Sequence, residues 1–185
     1  MYRILLVDDE PNVLSAVRRV LATLKPEELD GDRPEIETYT STEDALKRVS
    51  TMPVDLVISD YRMPGMSGVE FLEQVIQRQP GVARLIMSAY ADLDAVIDAI
   101  NKVQVFRFIS KPWHDFELKS AVTQALATRA LILENQRLAD TVRRQRNRLS
   151  RQEAELRRLE AESPGITRLK RAADGGILIE GFEDE

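Results

Sequence analysis

Ile4-Leu5-Leu6-Val7-Asp8-Asp9-Glu10 decides the fold class. Four apolar residues run without a break into three carboxylates. An apolar run this short, built of β-branched and leucine side chains, fits a strand covered on both faces. Its abrupt end puts acids at the strand's C-terminal edge. Short β-rich runs recur at Ile36 to Tyr39, Leu56-Val57-Ile58, Leu85-Ile86-Met87 and Val105 to Ile109. Amphipathic stripes lie between them: Val13, Leu14, Val17, Val20, Leu21 and Leu24; then Val69, Leu72, Val75 and Ile76; then Leu93, Val96, Ile97 and Ile100. Ser67 with Glu70 three residues on reads as a capping box, and Ser41 with Asp44 as a weaker version. Alternating strands and helices predict an α/β domain with a parallel sheet sandwiched by helices over residues 1–128. The crossovers are expected to be right-handed.

A different pattern follows. From Asp115 to Glu162 the chain has neither Pro nor Gly, which predicts one helix of roughly 70 Å at 1.5 Å per residue. Only its first turns can pack on the α/β domain. In heptads, Leu131, Leu138, Gln145, Gln152 and Leu159 fall at d, and Asn135, Val142, Leu149 and Leu156 at a. This is a coiled-coil seam over 129–162, and Asn135 at a suits a parallel homodimer with fixed register. Arg148 at g can meet Glu153 at e of the second chain. Ser163-Pro164-Gly165 stops the helix. Residues 163–185 then carry two short β-like runs, Ile166 to Arg171 and Gly176 to Glu180, around an Asp-Gly pair. They read as a hairpin followed by an acidic tail.

The 185 residues carry a net charge of −5, which hides a partition. Residues 1–128 hold 14 basic and 20 acidic side chains, residues 129–162 hold 9 and 6, and residues 163–185 hold 3 and 5. The mild acidity argues against a nucleic-acid-coating protein. One basic stretch, Val142 to Gln152, contains Arg143, Arg144, Arg146, Arg148 and Arg151 and no acid. Such a stretch could touch nucleic acid or an acidic partner. With no interleaved aromatics and no helix-turn-helix after it, a solvated helix face is the simpler reading, and direct DNA binding is not expected. There are no cysteines, which excludes disulfides, thiolate metal sites and a cysteine nucleophile. The longest apolar runs have four residues, against the roughly 20 of a membrane span. A cytoplasmic protein is expected.

Polar residues cluster where the strands end. Asp8, Asp9 and Glu10 follow the first, Asp60 the third, Ser88 ends the fourth and Lys111 follows the fifth. In an open parallel sheet all these ends share one edge, where ligands bind. Taken singly, each has an ordinary explanation: an Asp after a strand is usually a helix cap, and a lone Lys a solvated charge. Taken together, three carboxylates converging on one point call for a cation, and hard oxygen donors suit Mg²⁺. A lysine and a hydroxyl beside them can hold phosphate oxygens. His114, the single histidine, lies where the long helix begins and suits a cap or surface role. Trp113 is expected to pack at the foot of that helix.

Val7-Asp8-Asp9-Glu10, Ser59-Asp60-Tyr61-Arg62-Met63-Pro64-Gly65-Met66, Met87-Ser88-Ala89 and Ser110-Lys111-Pro112-Trp113 resemble the receiver (CheY-like) domain of bacterial two-component response regulators. The resemblance implies a flavodoxin-like fold, with Asp60 accepting a phosphoryl group from a histidine kinase or phosphotransfer protein. It implies Mg²⁺ held by Asp9, Asp60 and the backbone carbonyl of Arg62, with Asp8 acting mostly through water. It implies that Ser88 and Lys111 engage the acyl phosphate, that Lys111–Pro112 is cis, and that Phe108 is the switch aromatic in place of the common Tyr. An ordinary core role for Phe108 stays open. Phosphorylation would then alter the face made by the fourth helix, fifth strand and fifth helix and pass directly into the coiled coil, toward an unknown downstream protein. Such a chain is a switch and not an enzyme beyond its own dephosphorylation. The receiver wording is also similar to receivers attached to HD-GYP cyclic-dinucleotide phosphodiesterases, although no His-Asp or Gly-Tyr-Pro motif occurs here. A haloacid-dehalogenase-type phosphatase also uses an Asp nucleophile, but its Asp-x-Asp pattern is absent because Asp8 and Asp9 are adjacent.

Arg62, two residues after Asp60, and Tyr90, two after Ser88, are bulky enough to obstruct water attacking the phosphoryl group. Slow self-dephosphorylation is therefore expected. Arg62→Ala and Tyr90→Ala should each speed acyl-phosphate decay severalfold in a single-turnover assay; an unchanged rate in both would remove the shielding role.

Overall fold

The computed structural model describes residues 1–89 and 103–164, together with the paired segments 170–171 and 177–178. Five strands, β1 (Tyr2–Val7), β2 (Pro34–Tyr39), β3 (Leu56–Asp60), β4 (Ala83–Ala89) and β5 (Arg107–Lys111), form one parallel sheet in the order β2-β1-β3-β4-β5. The helices are α1 (Pro11–Leu21), α2 (Thr42–Thr51), α3 (Gly68–Arg78) and the long α4 (Asp115–Glu162). This is the flavodoxin-like arrangement. The stripe of Leu93, Val96, Ile97 and Ile100, expected as a further helix, lies outside the described residues, as does Tyr90. The order reverses at β1, so the edge beyond β1 and β3 is the switch point where such sheets bind ligands.

The two-residue period of the strands divides the core. Ile4, Leu6, Ile58, Leu85, Met87 and Ile109 face α1 and the first turns of α4, where Leu14, Val17, Leu21, Leu118, Val122 and Leu126 complete the cluster. Leu5, Val7, Val57 and Ile86 face the other way, onto α2 and α3, with Ala45, Val49, Phe71, Leu72 and Val75. Unbroken apolar runs are what such two-sided burial requires. The edge strand β2 is the exception: every residue from Pro34 to Tyr39 is only half-buried. The caps read from sequence are present. Ser67 and Glu70 form a reciprocal capping box on α3, and Ser41 accepts from the Asp44 N–H at 3.3 Å on α2.

Several strands extend further than their apolar runs. Hydrogen-bonded pairing carries β3 to Asp60, β4 to Ala89 and β5 to Lys111. Asp60 and Lys111 are thus the last residues of their strands rather than the first residues after them, because ladder geometry, not hydropathy, ends a strand. Conversely, β5 begins at Arg107, and Phe106 is exposed ahead of it.

The long helix runs from Asp115 to Glu162 as expected. Its buried face ends at Leu126. The first compact unit nevertheless continues to Glu134, and the second spans Asn135–Glu185. Two tethers account for the extra turns. Arg129 pairs with Asp55 at 2.6 Å and donates to the Gly81 carbonyl at 2.8 Å, and Leu133 lies against Gly81. Beyond the helix, β6 (Lys170–Arg171) and β7 (Ile177–Leu178) pair antiparallel, as the expected hairpin requires; its Asp174-Gly175 turn and the acidic tail lie outside the described residues.

On the open flank of the sheet, Glu37 of β2 accepts from Arg48 Nε of α2 at 2.6 Å, with a second contact from Arg48 Nη2, and also from the Tyr39 hydroxyl at 2.9 Å. The Arg48 hydrogen bonds hold the Glu37 carboxyl below the usual carboxylate range, against partial burial that pushes it up. A group whose native pKa is depressed stabilises the fold above its unfolded pKa and loses that contribution as pH falls through the native value. Glu37→Gln should therefore cost about 1 kcal/mol at neutral pH. The difference from the parent should vanish in denaturant melts below the native Glu37 pKa, in the acid range.

Candidate functional site

The C-terminal edges of β1, β3 and β5 each deliver one charged side chain, Asp8 and Asp60 buried and Lys111 partly so. Asp8 follows β1 directly and is 3% exposed. One of its oxygens accepts the Glu10 N–H at 2.9 Å, which fixes the turn into α1. Asp60 ends β3 and is 7% exposed. Its Oδ2 accepts the Arg62 N–H at 2.9 Å. Lys111 ends β5, beyond β4, and its long stem carries the ammonium back across the edge. Lys111 Nζ lies 2.7 Å from Asp8 Oδ2 and 2.5 Å from Asp60 Oδ1. The Lys111–Pro112 peptide bond is cis.

Two carboxylates against one ammonium leave a surplus negative charge at a largely buried point. Burial pushes the Asp60 carboxyl up, Asp8 adds to that, and the Lys111 and Arg62 donors offset only part. Burial alone would pull Lys111 down, but its hydrogen bonds to Asp60 and Asp8 prevail and hold it charged. The electrostatics thus favour a further cation, and the donors are carboxylate oxygens that already converge on one nitrogen. This donor set fits a hard divalent ion such as Mg²⁺. Of the three sequence-nominated carboxylates, the structure brings Asp8 and Asp60 together, while Asp9 is exposed beside them. Among the described residues no three carboxylate or histidine side chains form a metal-holding group.

Ser88 is 2% exposed and sits one residue beyond Met87, the β4 partner of Asp60. Its hydroxyl makes a long contact of 3.5 Å to the Ala89 carbonyl. Phe108 pairs with Ile86 across β4–β5 and packs, half-buried, on the α2–α3 side of the core. The Arg62 side chain is exposed, as is His114. Trp113 packs against the α1–α4 side of the core, where it was expected. Along α4, Leu131 (67%), Leu138, Val142, Leu149 and Leu156 (53%) are exposed in the single chain, Asn135 with them, and Leu159 is partly so.

One contributor was missed in the sequence. Gly68, the first residue of α3, lies so close to the end of β3 that an added Cβ would sit 1.9 Å from the Asp60 carbonyl oxygen. Its N–H also bonds the Tyr61 carbonyl at 2.9 Å. The helix start is pressed onto the end of β3, and the turn between them uses Gly65 at φ +80°. A glycine directly after the Ser67 cap was the available signal, but glycine at a helix start has several causes and none of them announces a contact with Asp60.

The response regulator receiver domain family matches residues 4–123, and the chain belongs to that family. Curated relatives include the hydrogenase transcriptional regulatory protein HoxA of Cupriavidus necator, 33% identical over 128 residues, covering 69% of this chain and 25% of HoxA. The DNA-binding transcriptional regulator NtrC of Klebsiella pneumoniae is 33% identical over 126 residues, covering 68% of this chain and 24% of NtrC. The chain thus spans about a quarter of the length of these relatives. Among solved structures, an uncharacterized protein from Neptuniibacter caesariensis is 40% identical with a TM-score of 0.63, covering 72% of this chain and 93% of its own. The signal receiver domain of an HD domain-containing protein from Pseudomonas fluorescens Pf-5 is 31% identical with a TM-score of 0.62, covering 70% and 97%. Receivers are signalling domains of two-component systems that take phosphate from histidine kinases, and Mg²⁺ binding at the phosphorylation site is typical of them. Among the described residues no helix is long and apolar enough to cross a membrane.

Gly68→Ala forces backbone against backbone, whereas a Cβ at Gly65 meets open space and carries only the cost of its positive φ. Gly68→Ala should destabilise by about 1–3 kcal/mol or more, and Gly65→Ala by roughly 1–2 kcal/mol. Urea melts of the two variants check the order, and equal midpoints would contradict the contact.

Proposed function

We propose that Asp60 is the phosphoacceptor of a two-component phosphorelay and that the receiver passes its state into a dimeric coiled coil formed by α4. The observation that supports this most is the Asp60 carboxylate itself, buried at a strand end and bracketed by Lys111 Nζ and the Arg62 N–H. Phosphoryl transfer depends on placement and charge neutralisation more than on covalent help from the protein. Asp60 supplies the nucleophilic oxygen and keeps it in place through Arg62. Asp9, Asp60 and the Arg62 carbonyl, with Asp8 beside them, would hold Mg²⁺, which would supply positive charge next to the transferred group. Lys111 is then free to turn from the carboxylates toward phosphate oxygens, and Ser88 supplies a hydroxyl from the neighbouring strand. The product, an acyl phosphate, is labile, which suits a reversible signal.

The output reading rests on continuity. The same helix that packs Leu118 to Leu126 against the sheet carries the exposed seam from Leu131 to Leu159. Phe108, on the strand beside Ser88, is the proposed switch side chain; it packs on the α2–α3 side of the sheet, so its route to α4 is through β5, the strand that leads into that helix. The seam pairs each layer with its own copy in a parallel homodimer, Asn135 with Asn135 included. The cognate kinase or phosphotransfer protein and a downstream protein complete the set of partners, and the cytoplasm is the compartment this reading requires. The likeness to the receiver of an HD domain-containing protein supports a second reading, in which the chain regulates a cyclic-dinucleotide phosphodiesterase held on a partner or a further segment.

Asp60→Asn should abolish labelling by acetyl phosphate in the presence of Mg²⁺, and chelation should abolish labelling of the parent. Label retained on another residue would overturn the assignment.

A further inference from the structure

We infer that the arginine belt of α4, Arg143 to Arg151, docks a short acidic segment of the downstream protein. The inference rests on the reading of α4 as the receiver's output and names the chemistry of its partner. Four observations carry it. Between Asp140 and Glu153 the helix holds five arginines and no acid. Arg143 pairs with Asp140 at 3.3 Å, but Arg144, Arg146, Arg148 and Arg151 have no ion pair among the described residues, whereas Arg158 further along is paired with both Glu155 and Glu162. Arg144, Arg148 and Arg151 stand at i, i+4 and i+7, which puts them on one helix face. Finally, from Ser120 to Glu162 every basic residue is Arg and none is Lys. A merely solvating helix face gains nothing from that choice, since Arg and Lys have similar helix propensity. Arg is the residue that grips carboxylates in a bidentate fork.

Length and surroundings choose the acidic segment over nucleic acid. Arg143 to Arg151 spans only about 12 Å of helix. It is bounded by Asp140 on one side and by Glu153, Glu155, Glu160 and Glu162 on the other. A duplex, with one phosphate per roughly 1.7 Å of axis, would run past the belt into those acids. The stretch has no aromatic side chain on which single-stranded bases could stack. A short run of Asp or Glu ends where the arginines end.

The test titrates the full chain with a fluorescent oligoglutamate peptide of about 12 residues, long enough as a helix to cover the belt, and in parallel with a labelled duplex of about 20 base pairs. Arg144→Gln/Arg151→Gln changes two exposed positions away from the seam and from Asp60, so fold, seam and phosphoacceptor are left in place. The expected result is salt-sensitive peptide binding that the double variant weakens by about tenfold or more, with Arg158→Gln unchanged. No binding of the peptide by the parent chain, tighter binding of the duplex than of the peptide, or equal affinity in parent and double variant would each overturn the inference. Acetyl-phosphate labelling of Asp60 is read on the same samples. Labelling without peptide binding defeats this inference alone, and peptide binding without labelling supports it while defeating the phosphorelay reading.

Discussion

Lys111 reaches past β4 to hold Asp8 and Asp60 with one ammonium, and the rest of the site is arranged around that contact. Without a cation between them, two buried carboxylates at adjacent strand ends would repel and at least one would protonate. The lysine permits both to face the same point, but it does so incompletely: burial first, and the Asp8 charge after it, still push the Asp60 carboxyl up. A site held one charge short of neutrality has the donor chemistry that suits a divalent ion. In the proposed reaction the same lysine would exchange carboxylate oxygens for phosphate oxygens and so keep an anionic partner throughout. The pairing that stabilises the resting protein is therefore also the one the proposed reaction rearranges.

The surrounding backbone is built to keep that contact tight. Asp60 is fixed from behind by the close approach of Gly68 and from the front by the Arg62 N–H, so its carboxylate has little freedom. The neighbouring strand places Ser88 one step beyond the residue paired with Asp60. On the opposite edge of the sheet, Arg84 is buried and spends its guanidinium on the carbonyls of Val82, Val103 and Gln104, tying the start of β4 to the approach to β5. Its burial lowers its pKa, yet no carboxylate is supplied to it among the described residues; it is a structural clamp made of hydrogen bonds rather than an ion pair. Together these constraints hold the two strands that carry Ser88 and Lys111 in fixed register.

The long helix obeys a different logic. Its first turns are paid for by burial in the core, and Arg129 with Asp55 secures the last of them. Beyond Glu134 no residue of the helix is buried, and the recurrence of Leu and Val at heptad spacing has no use in water. This supports a second copy as the partner of the seam. Arg144 and Arg151, both at c, lie off that seam, so a coil formed there would leave them available, while Arg148 at g would border it.

The sequence by itself determined the strand–helix alternation, the two capped helices, the length of α4, the hairpin pairing and the identity of the charged residues at the strand ends. These are local properties: hydropathy period, cap chemistry and the absence of Pro and Gly act over a few residues and can be read one segment at a time. It misjudged where β3, β4 and β5 end, because a ladder between strands far apart in sequence sets those limits. It gave no sign that Gly68 presses on Asp60. Only the tertiary structure decided which of the acids meet. Asp8 and Asp9 are neighbours with the same chemistry, yet one is buried against Lys111 and the other faces solvent, since consecutive residues leaving a strand point to opposite sides and only one side can be closed by a lysine 103 residues away.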